Sequence, residues 1–405
     1  MWWYPEEGKL YKCEVGIGKS EFGMWNYVGS LIVQSVRKNQ FELRSICEMR
    51  LLMVDIGAGT MDVLCYDTDA DLHYKAVVKS PVRYIAEKAA AISGNLIVTG
   101  CEMGGGPITE VLKQRALHAE VVMSASAAVT LHHNLEKVTS WGIKVVDDEK
   151  AEDLRRAKKY QSLILEDIEA ERLRRIVKGF GVTFEFEAVV VCGQDHGVAP
   201  PGESHLDFRH NMFTDLLEIN PYPHALLFEA DEVPQALNRL RSIAHSARSF
   251  PTAEVYVMDS GMAAMLGGSM DVLAQQKQHV LILDVATSHT VGAAMKGDEI
   301  AGFFEYHTSD ITLGRLEQLI LDLCEGKLEH SRILSEGGHG AFVRRSFGFD
   351  AVEVIIATGP KRRLVEASRL PMAFGAPYGD NMMTGTVGLL EAVRRRKGLD
   401  PIKYI

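Results

Sequence analysis

One octet early in the chain has the residue types that phosphate and metal binding require. It runs from Asp55 to Asp62 and reads Asp-Ile-Gly-Ala-Gly-Thr-Met-Asp after a short apolar stretch. Because α/β proteins bind ligands at the carboxyl edge of the sheet, Asp55 at a strand end could position a hydrated Mg²⁺. Gly57 and Gly59 let the backbone approach an anion, and the turn amides with the Thr60 hydroxyl could hold phosphate oxygens. The alternative is an ordinary glycine-rich hairpin.

A second copy of this pattern follows about 230 residues later. Leu51–Ser80 and Val280–Thr308 both read as strand, Asp, small-residue turn, strand, polar turn and strand. Asp284 occupies the position of Asp55 in the second copy. Two copies of one unit predict two similar lobes with a cleft between them.

Four histidines lie in short polar turns that also contain glycines, carboxylates or hydroxyls. They are His196, His289, His307 and His339. Histidine in such surroundings can shuttle protons, donate to phosphate or ligate a metal. None has the spacing of a known metal motif, and each alone is typical of a loop histidine that bonds its neighbours. Their number suggests that some of them line one cleft.

The composition excludes several classes of protein. The chain has 405 residues, of which 46% are hydrophobic and 24% charged, as expected for a globular protein of two or three domains. A formal net charge of −10 excludes a broadly basic nucleic-acid coat and gives no reason to expect binding to an anionic membrane. No apolar run approaches the ~20 residues of a membrane span. We therefore expect a cytoplasmic protein without nucleic-acid or membrane partners.

The cysteines give no sign of a metal or redox centre. The six are Cys13, Cys47, Cys65, Cys101, Cys192 and Cys324. No pair has C-x-x-C spacing, and no run matches an iron–sulfur motif. We expect six reduced thiols and no iron–sulfur cluster.

From Leu51 onward, predicted strands and helices alternate, which indicates the α/β class. The charged stretch Lys150–Lys178 is predicted to be a pair of helices with one buried face. Residues 1–48 hold three of the four tryptophans and show no helix or strand rhythm. We interpret them as an extension or a mis-called start.

The order of the segments resembles the superfamily of actin, heat-shock chaperone ATPases and sugar kinases. The members of this superfamily share five segments in a fixed order. In this chain the corresponding segments are the first phosphate loop (Asp55–Asp62), the first linking helix (Val257–Gly267), the second phosphate loop (Asp284–Thr290), the adenosine segment (Val354–Pro360) and the second linking helix (Asp380–Leu389). The resemblance implies an α/β fold with two similar actin-like (ribonuclease H-like) lobes and a nucleotide cleft between them. It also implies ATP and Mg²⁺ as ligands. The domains would be residues 49–137 (first lobe, opening part), 138–250 (an insertion), 251–278 (end of the first lobe with the linking helix) and 279–405 (second lobe).

The resemblance also implies roles for individual residues. Asp55 and Asp284 would orient the metal, and Asp259 would orient or deprotonate the attacking water or hydroxyl. Gly359 would let adenosine approach the backbone. The phosphate-holding residues would be Gly57, Ala58, Gly59, Thr60, Thr287 and Ser288.

From Leu51 to about Arg395 the chain also resembles a prokaryotic domain-of-unknown-function family whose label refers to a pyruvate formate-lyase activating enzyme. The segments that carry this likeness are Asp55–Asp62, Met103–Pro107, Gln194–Gly197, Phe304–Thr308, Gly337–Ala341, Thr358–Arg362 and Ala376–Gly385. A radical activating enzyme needs three clustered cysteines, which this sequence lacks, so we discard that chemistry.

Three functions stay open at this point. The first is a Mg²⁺-dependent ATPase that acts on an unknown partner. The second is a small-molecule kinase with an acceptor pocket near Asp195 and His196. The third is a nucleotide-responsive scaffold with little turnover, which would suit a second loop that carries Ala286, Thr287 and Ser288 where related loops have glycines.

Overall fold

Three β-sheets organise residues 50–200 and 202–402, the part of the chain that this computed structural model describes. The strands are β1 (Arg50–Ile56), β2 (Thr60–Asp67), β3 (Leu72–Lys79), β4 (Leu96–Gly100), β5 (Val121–Ser124), β6 (Lys144–Val146), β7 (Gln161–Leu165), β8 (Phe186–Gly193), β9 (Phe228–Glu229), β10 (Thr252–Asp259), β11 (His279–Val285), β12 (His289–Lys296), β13 (Glu299–His307), β14 (Gly340–Val343), β15 (Val354–Thr358) and β16 (Met372–Phe374). The predicted extension, residues 1–48, lies outside the described residues.

Helices connect these strands. They are α1 (Pro81–Ala91), α2 (Pro107–Ala116), α3 (Ala125–Ala128), α4 (Leu135–Ser140), α5 (Asp148–Arg156), α6 (Ala170–Gly179), α7 (His205–Ile219), α8 (Asn238–Ala247), α9 (Ser260–Ser269), α10 (Leu313–Glu325), α11 (His330–Ser335) and α12 (Thr384–Lys397). Short 3₁₀ turns lie at Pro223–Leu226, Val272–Ala274, Phe349–Ala351, Arg362–Val365 and Pro377–Gly379. Within the described ranges, no helix is both long and apolar enough to span a membrane.

The first lobe is built on a six-stranded sheet with the order β3-β2-β1-β8-β10-β9. β1, β2 and β3 form an antiparallel meander, and β8 and β10 run parallel to β1. β1 and β8 are central because both are near-continuous apolar runs, which pack well only when both faces of the sheet are covered. Their carboxyl ends therefore meet at one edge of the sheet, where Asp55 lies.

The second lobe repeats this arrangement. Its sheet has the order β14-β13-β12-β11-β15-β16, with an antiparallel β11-β12-β13 meander and β15 parallel to β11. The internal repeat read from Leu51–Ser80 and Val280–Thr308 is thus confirmed. The protein is an α/β protein with two similar actin-like (ribonuclease H-like) lobes, as the sequence predicted.

A third sheet is inserted in the first lobe between β3 and β8. It has the order β6-β5-β4-β7, and all of its strands are parallel. Its boundaries differ from the predicted insertion at residues 138–250: β4 and β5 come before residue 138, and β8 inside that range is a central strand of the first lobe. The prediction of a helix pair at Lys150–Lys178 is confirmed only in part, because α5 and α6 are helices but β7 lies between them. Leu163 and Leu165 alternate with exposed residues on that strand and are buried.

The two lobes are joined through helices that cross at glycines. α9 follows β10 of the first lobe, α12 ends the second lobe, and the two pack against each other. A Cβ on Gly267 would lie 1.8 Å from the carbonyl oxygen of Thr384, and one on Gly388 would lie 1.8 Å from that of Ala263. Backbones can approach so closely only where no side chain intervenes, which accounts for the glycines at this crossing.

Substituting Gly388 by Ala is expected to lower the free energy of unfolding by about 3 kcal/mol or more. The new methyl group would meet a backbone oxygen, which cannot rotate away as a side chain could. Denaturant unfolding measures this loss. Gly314→Ala is the control, because a Cβ there has open space inside α10 and alanine favours the helix. Equal stability of the two variants would contradict the close crossing.

Candidate functional site

A cavity of about 670 Å³ lies where the two lobes and the inserted domain meet. The first lobe contributes Asp55–Thr60 without Gly59, and the second contributes Asp284 with residues 286–289. The inserted domain adds the loop from Glu102 to Pro107, which leads into α2. Residues from all three sheets can therefore reach one ligand.

The two predicted phosphate loops face each other across this cavity. A Cβ on Gly59 would lie 2.9 Å from Oγ1 of Thr287, so the first loop touches the second and any side chain there would separate them. The first loop is held tight because the Gly57 amide donates to the Thr60 carbonyl at 3.0 Å. Ser80 Oγ donates to the Gly57 carbonyl at 2.6 Å. Ala58 is exposed at the tip, and Ser288 also lines the cavity.

Three carboxylates from both lobes converge beneath these loops. Asp55 on β1 is the register partner of Asp62 on β2, and Asp284 is the last residue but one of the equivalent strand β11. Burial raises the pKa of Asp55 to about 6, and burial with the charge of Asp55 raises the pKa of Asp284 to about 7. Burial, then the charge of Asp55, raises the pKa of Asp62 to about 8. Carboxylates gathered in this way repel one another, and a bound cation relieves that repulsion.

The donor set fits Mg²⁺, which prefers oxygen ligands and usually binds one or two carboxylates with several waters. Oδ1 of Asp62 is buried without a hydrogen-bond partner in the described part of the chain. A buried polar atom left unpaired is costly, so a cation or water beside this oxygen would stabilise it. The sequence had named Asp55 and Asp284 as metal residues but had not included Asp62, although it closes the same octet.

Glycines make room for the two strand-end carboxylates. A Cβ on Gly385 at the start of α12 would lie 2.1 Å from Asp55 Oδ2. A Cβ on Gly359 would lie 2.6 Å from Asp284 Oδ1, and Gly359 has a φ of +86° that favours glycine. Gly359 lines the cavity, and a Cβ there would meet Val285 as well as Asp284.

Asp259 lies in a different setting from the one expected of a base that activates water. Its Oδ1 accepts from the Gly261 amide at 2.9 Å and caps α9, while its Oδ2 accepts from Arg209 Nη2 at 3.0 Å. Arg209 Nη1 also donates to Glu305 Oε2 at 2.8 Å. Because both oxygens of Asp259 have donors and the side chain is only 2% exposed, the structure supports a positioning role for it.

The four histidines singled out in the sequence lie together beside the second phosphate loop. The rings of His289, His307 and His339 have centroids 4.4–4.6 Å apart. The ring of His196 lies 5.4 Å from that of His339. Burial lowers the pKa of His289 to about 4 and lowers the pKa of His307. Both shifts favour the neutral form of the ring.

The family of the chain is settled by comparison with known proteins. A family model described as "Putative pyruvate format-lyase activating enzyme (DUF1786)" matches residues 103–364, well over half of the chain. The chain belongs to this family. The match begins after the first phosphate loop and ends before α12. No curated protein matches the sequence.

Several solved structures are similar in fold. A structure entitled "Reductive activator for corrinoid,iron-sulfur protein" is 12% identical, with a TM-score of 0.37 over 87% of this chain and 62% of that one. A Bacteroides thetaiotaomicron protein "with actin-like ATPase fold and unknown function" is 8% identical, with a TM-score of 0.35 over 85% and 96%. A ROK hexokinase from Thermus thermophilus is 13% identical, with a TM-score of 0.29 over 86% and 100%. At such values the similarities say nothing of this chain's activity.

Anaerobically purified protein is expected to contain no acid-labile sulfide. In the described ranges the cysteines Cys65, Cys101, Cys192 and Cys324 are free and belong to separate segments. Burial raises the pKa of Cys65 and of Cys324 to about 12, which disfavours the thiolate that a cluster requires. Cys13 and Cys47 lie outside the described residues. Sulfide and iron assays with a visible spectrum test this, and stoichiometric sulfide with iron would contradict it.

Proposed function

We propose that this protein binds ATP with Mg²⁺ in the cleft between its lobes and hydrolyses it to change the state of a partner. The observation that carries the proposal is the contact between Gly59 and Thr287, which brings two equivalent hairpin loops together above the carboxylates of Asp55, Asp62 and Asp284. Loop amides and hydroxyls on both sides suit a chain of phosphates.

Each part of the cleft has a role in this proposal. Asp55 and Asp284 would orient the ion and its waters, with Asp62 beside them. The phosphate oxygens would be held by Gly57, Ala58, Gly59, Thr60, Thr287 and Ser288. When bound, Mg²⁺ supplies positive charge that offsets the charge of the phosphates. Gly359 lines the same cavity and would let the nucleoside approach the backbone.

Calorimetric titration of ATP and ADP, with and without Mg²⁺, tests the binding step, and phosphate release tests turnover. We expect ATP to bind more tightly with Mg²⁺ than without it and phosphate to be released slowly. Protein that binds no adenine nucleotide under any metal condition would overturn the proposal. Binding without turnover would instead support the nucleotide-responsive scaffold.

A small-molecule kinase is the second candidate, and the wall formed by the inserted domain favours it. Beyond the phosphate loops, this wall presents polar groups that include Glu102, His132 and His133, with His133 Nε2 2.7 Å from Glu102 Oε1. Asp195 also lines the cavity, and each of its oxygens already accepts one backbone bond, from the amides of Gly197 and Leu240. Transfer of radiolabelled phosphate to an added polyol or carboxylic acid, at the expense of phosphate release, would support the kinase.

A further inference from the structure

Three histidines from three segments of the second lobe converge at one point. His289 begins β12 and is the register partner of His307 at the end of β13. His339 immediately precedes β14, and its amide donates to the Glu305 carbonyl at 2.8 Å. Each ring offers a nitrogen that lies within 4.8 Å of the other two. The group is thus assembled by sheet pairing rather than by a flexible loop.

The nitrogen positions are close to those of ligands around one ion. Nε2 of His307 and Nε2 of His339 are 3.0 Å apart. Two nitrogens at about 2.0–2.1 Å from one tetrahedral ion lie roughly 3.3 Å apart, so a small adjustment would suffice. His289 Nε2 is buried and has no hydrogen-bond partner among the described residues. A bound ion would satisfy all three nitrogens at once.

The far side of His339 faces a carboxylate. Its Nδ1 lies 3.6 Å from Glu305 Oε1, just beyond hydrogen-bond distance, and has no hydrogen-bond partner among the described residues, although the side chain is only 7% exposed. Glu305 is itself fixed by hydrogen bonds from Arg209 and Gln194. A carboxylate behind a ligating imidazole orients the ring and raises the basicity of the nitrogen facing the metal.

We propose that His289, His307 and His339 hold a divalent transition-metal ion of the Zn²⁺ type at the edge of the cleft. Imidazole suits Zn²⁺, Fe²⁺, Ni²⁺ and Cu²⁺, whereas Mg²⁺ prefers oxygen, so this centre is chemically distinct from the carboxylate site. Three protein ligands leave at least one position for water or substrate. His289 and His307 both line the cavity, which gives that position access to a bound ligand.

Zn²⁺ titration of metal-free, full-length protein against a chromogenic chelator tests the proposal without nucleotide. We expect one tight site per chain. His307→Ala and His289→Ala should each lower the affinity for Zn²⁺ at least about a hundred-fold. Even residues that only hydrogen-bond to a metal ligand change metal affinity about 10- to 100-fold when they are replaced. His118→Ala, which removes an exposed histidine after α2, is the control and should leave the affinity unchanged. Circular dichroism checks that each variant is folded.

Co²⁺ substitution adds a readout that identifies the ligands. Absorption typical of nitrogen and oxygen ligands, lost in His307→Ala, would support the site. Thiolate charge-transfer bands, a tight site unaffected by either variant, or no tight site at all would overturn it. Because the assay contains no ATP, the metal centre and the nucleotide proposal can fail independently.

Discussion

Asp55→Asn is expected to weaken Mg²⁺-dependent ATP binding by about 2–4 kcal/mol while leaving the fold intact. The amide is nearly isosteric with the carboxylate, but it removes one preorganised charge from the site, and such groups are worth about this much. The same change relieves the repulsion that helps to raise the pKa of Asp62 and Asp284. The free energy of unfolding of the ligand-free variant should therefore equal or exceed that of the wild type. Its affinity for ATP with Mg²⁺ should fall.

Two further variants make this result specific. Asp69→Asn changes an exposed aspartate at the other end of the same meander and should not affect binding. Asp62→Asn should have a smaller effect than Asp55→Asn, since Asp62 lies on β2, one strand further from the centre of the sheet than β1, which carries Asp55. Calorimetry with and without Mg²⁺ measures the affinities. An Asp55→Asn variant that binds ATP and Mg²⁺ as the wild type does would remove Asp55 from the metal site.

The parts of this protein that sequence alone could reveal are those governed by local patterns. β1 and β8 are continuous apolar runs, and the repeated strand–Asp–turn–strand order fixes the meander of each lobe. Asp55 and Asp284 could be placed at strand ends for this reason. The two linking segments could also be located from the order of the segments, and the glycines at which their helices cross, Gly267 and Gly388, lie within them.

The inserted domain could not be delimited because its strands are short. β6 has three residues and β7 has five, and both lie among charged residues that belong to neighbouring helices. When buried and exposed residues alternate over only five positions between charged stretches, the segment is easily mistaken for part of an amphipathic helix. Only the pairing of β7 with β4 shows that Gln161–Leu165 is a strand.

The convergence of the histidines depends on a register shift that no local pattern reveals. Next to the hairpin turn, Lys296 pairs with Glu299, and this register would place His289 opposite Tyr306. A bulge that leaves Ala301 without a partner shifts the pairing by one residue, so that His289 faces His307 instead. Because a one-residue slip moves side chains to the other face of a strand, the three-histidine group exists only with this bulge.

Replacing Arg209 with Met is expected to lower the free energy of unfolding by about 3–5 kcal/mol. Arg209 on α7 joins Asp259 of the first lobe to Glu305 of the second, and all three side chains are at most 7% exposed. Methionine would leave two carboxylates buried without their cation, which is the costly way to break a buried ion pair. Arg248→Ala, which breaks the exposed pair with Asp231, should cost less than about 1 kcal/mol.

A double variant separates lost charge from lost packing. If unpaired charge is the main cost, Arg209→Met combined with Glu305→Gln should be more stable than the sum of the two single losses predicts, because the second change removes one orphaned carboxylate. If the two losses of stability are strictly additive, Arg209 acts mainly through packing. One such contact is with Phe213, whose ring centre lies 4.9 Å from the Arg209 guanidinium carbon. The same network holds Glu305 behind His339, so Arg209→Met should also weaken Zn²⁺ binding. A variant that loses stability yet keeps full Zn²⁺ affinity would show that Glu305 does not need Arg209 to orient the histidine.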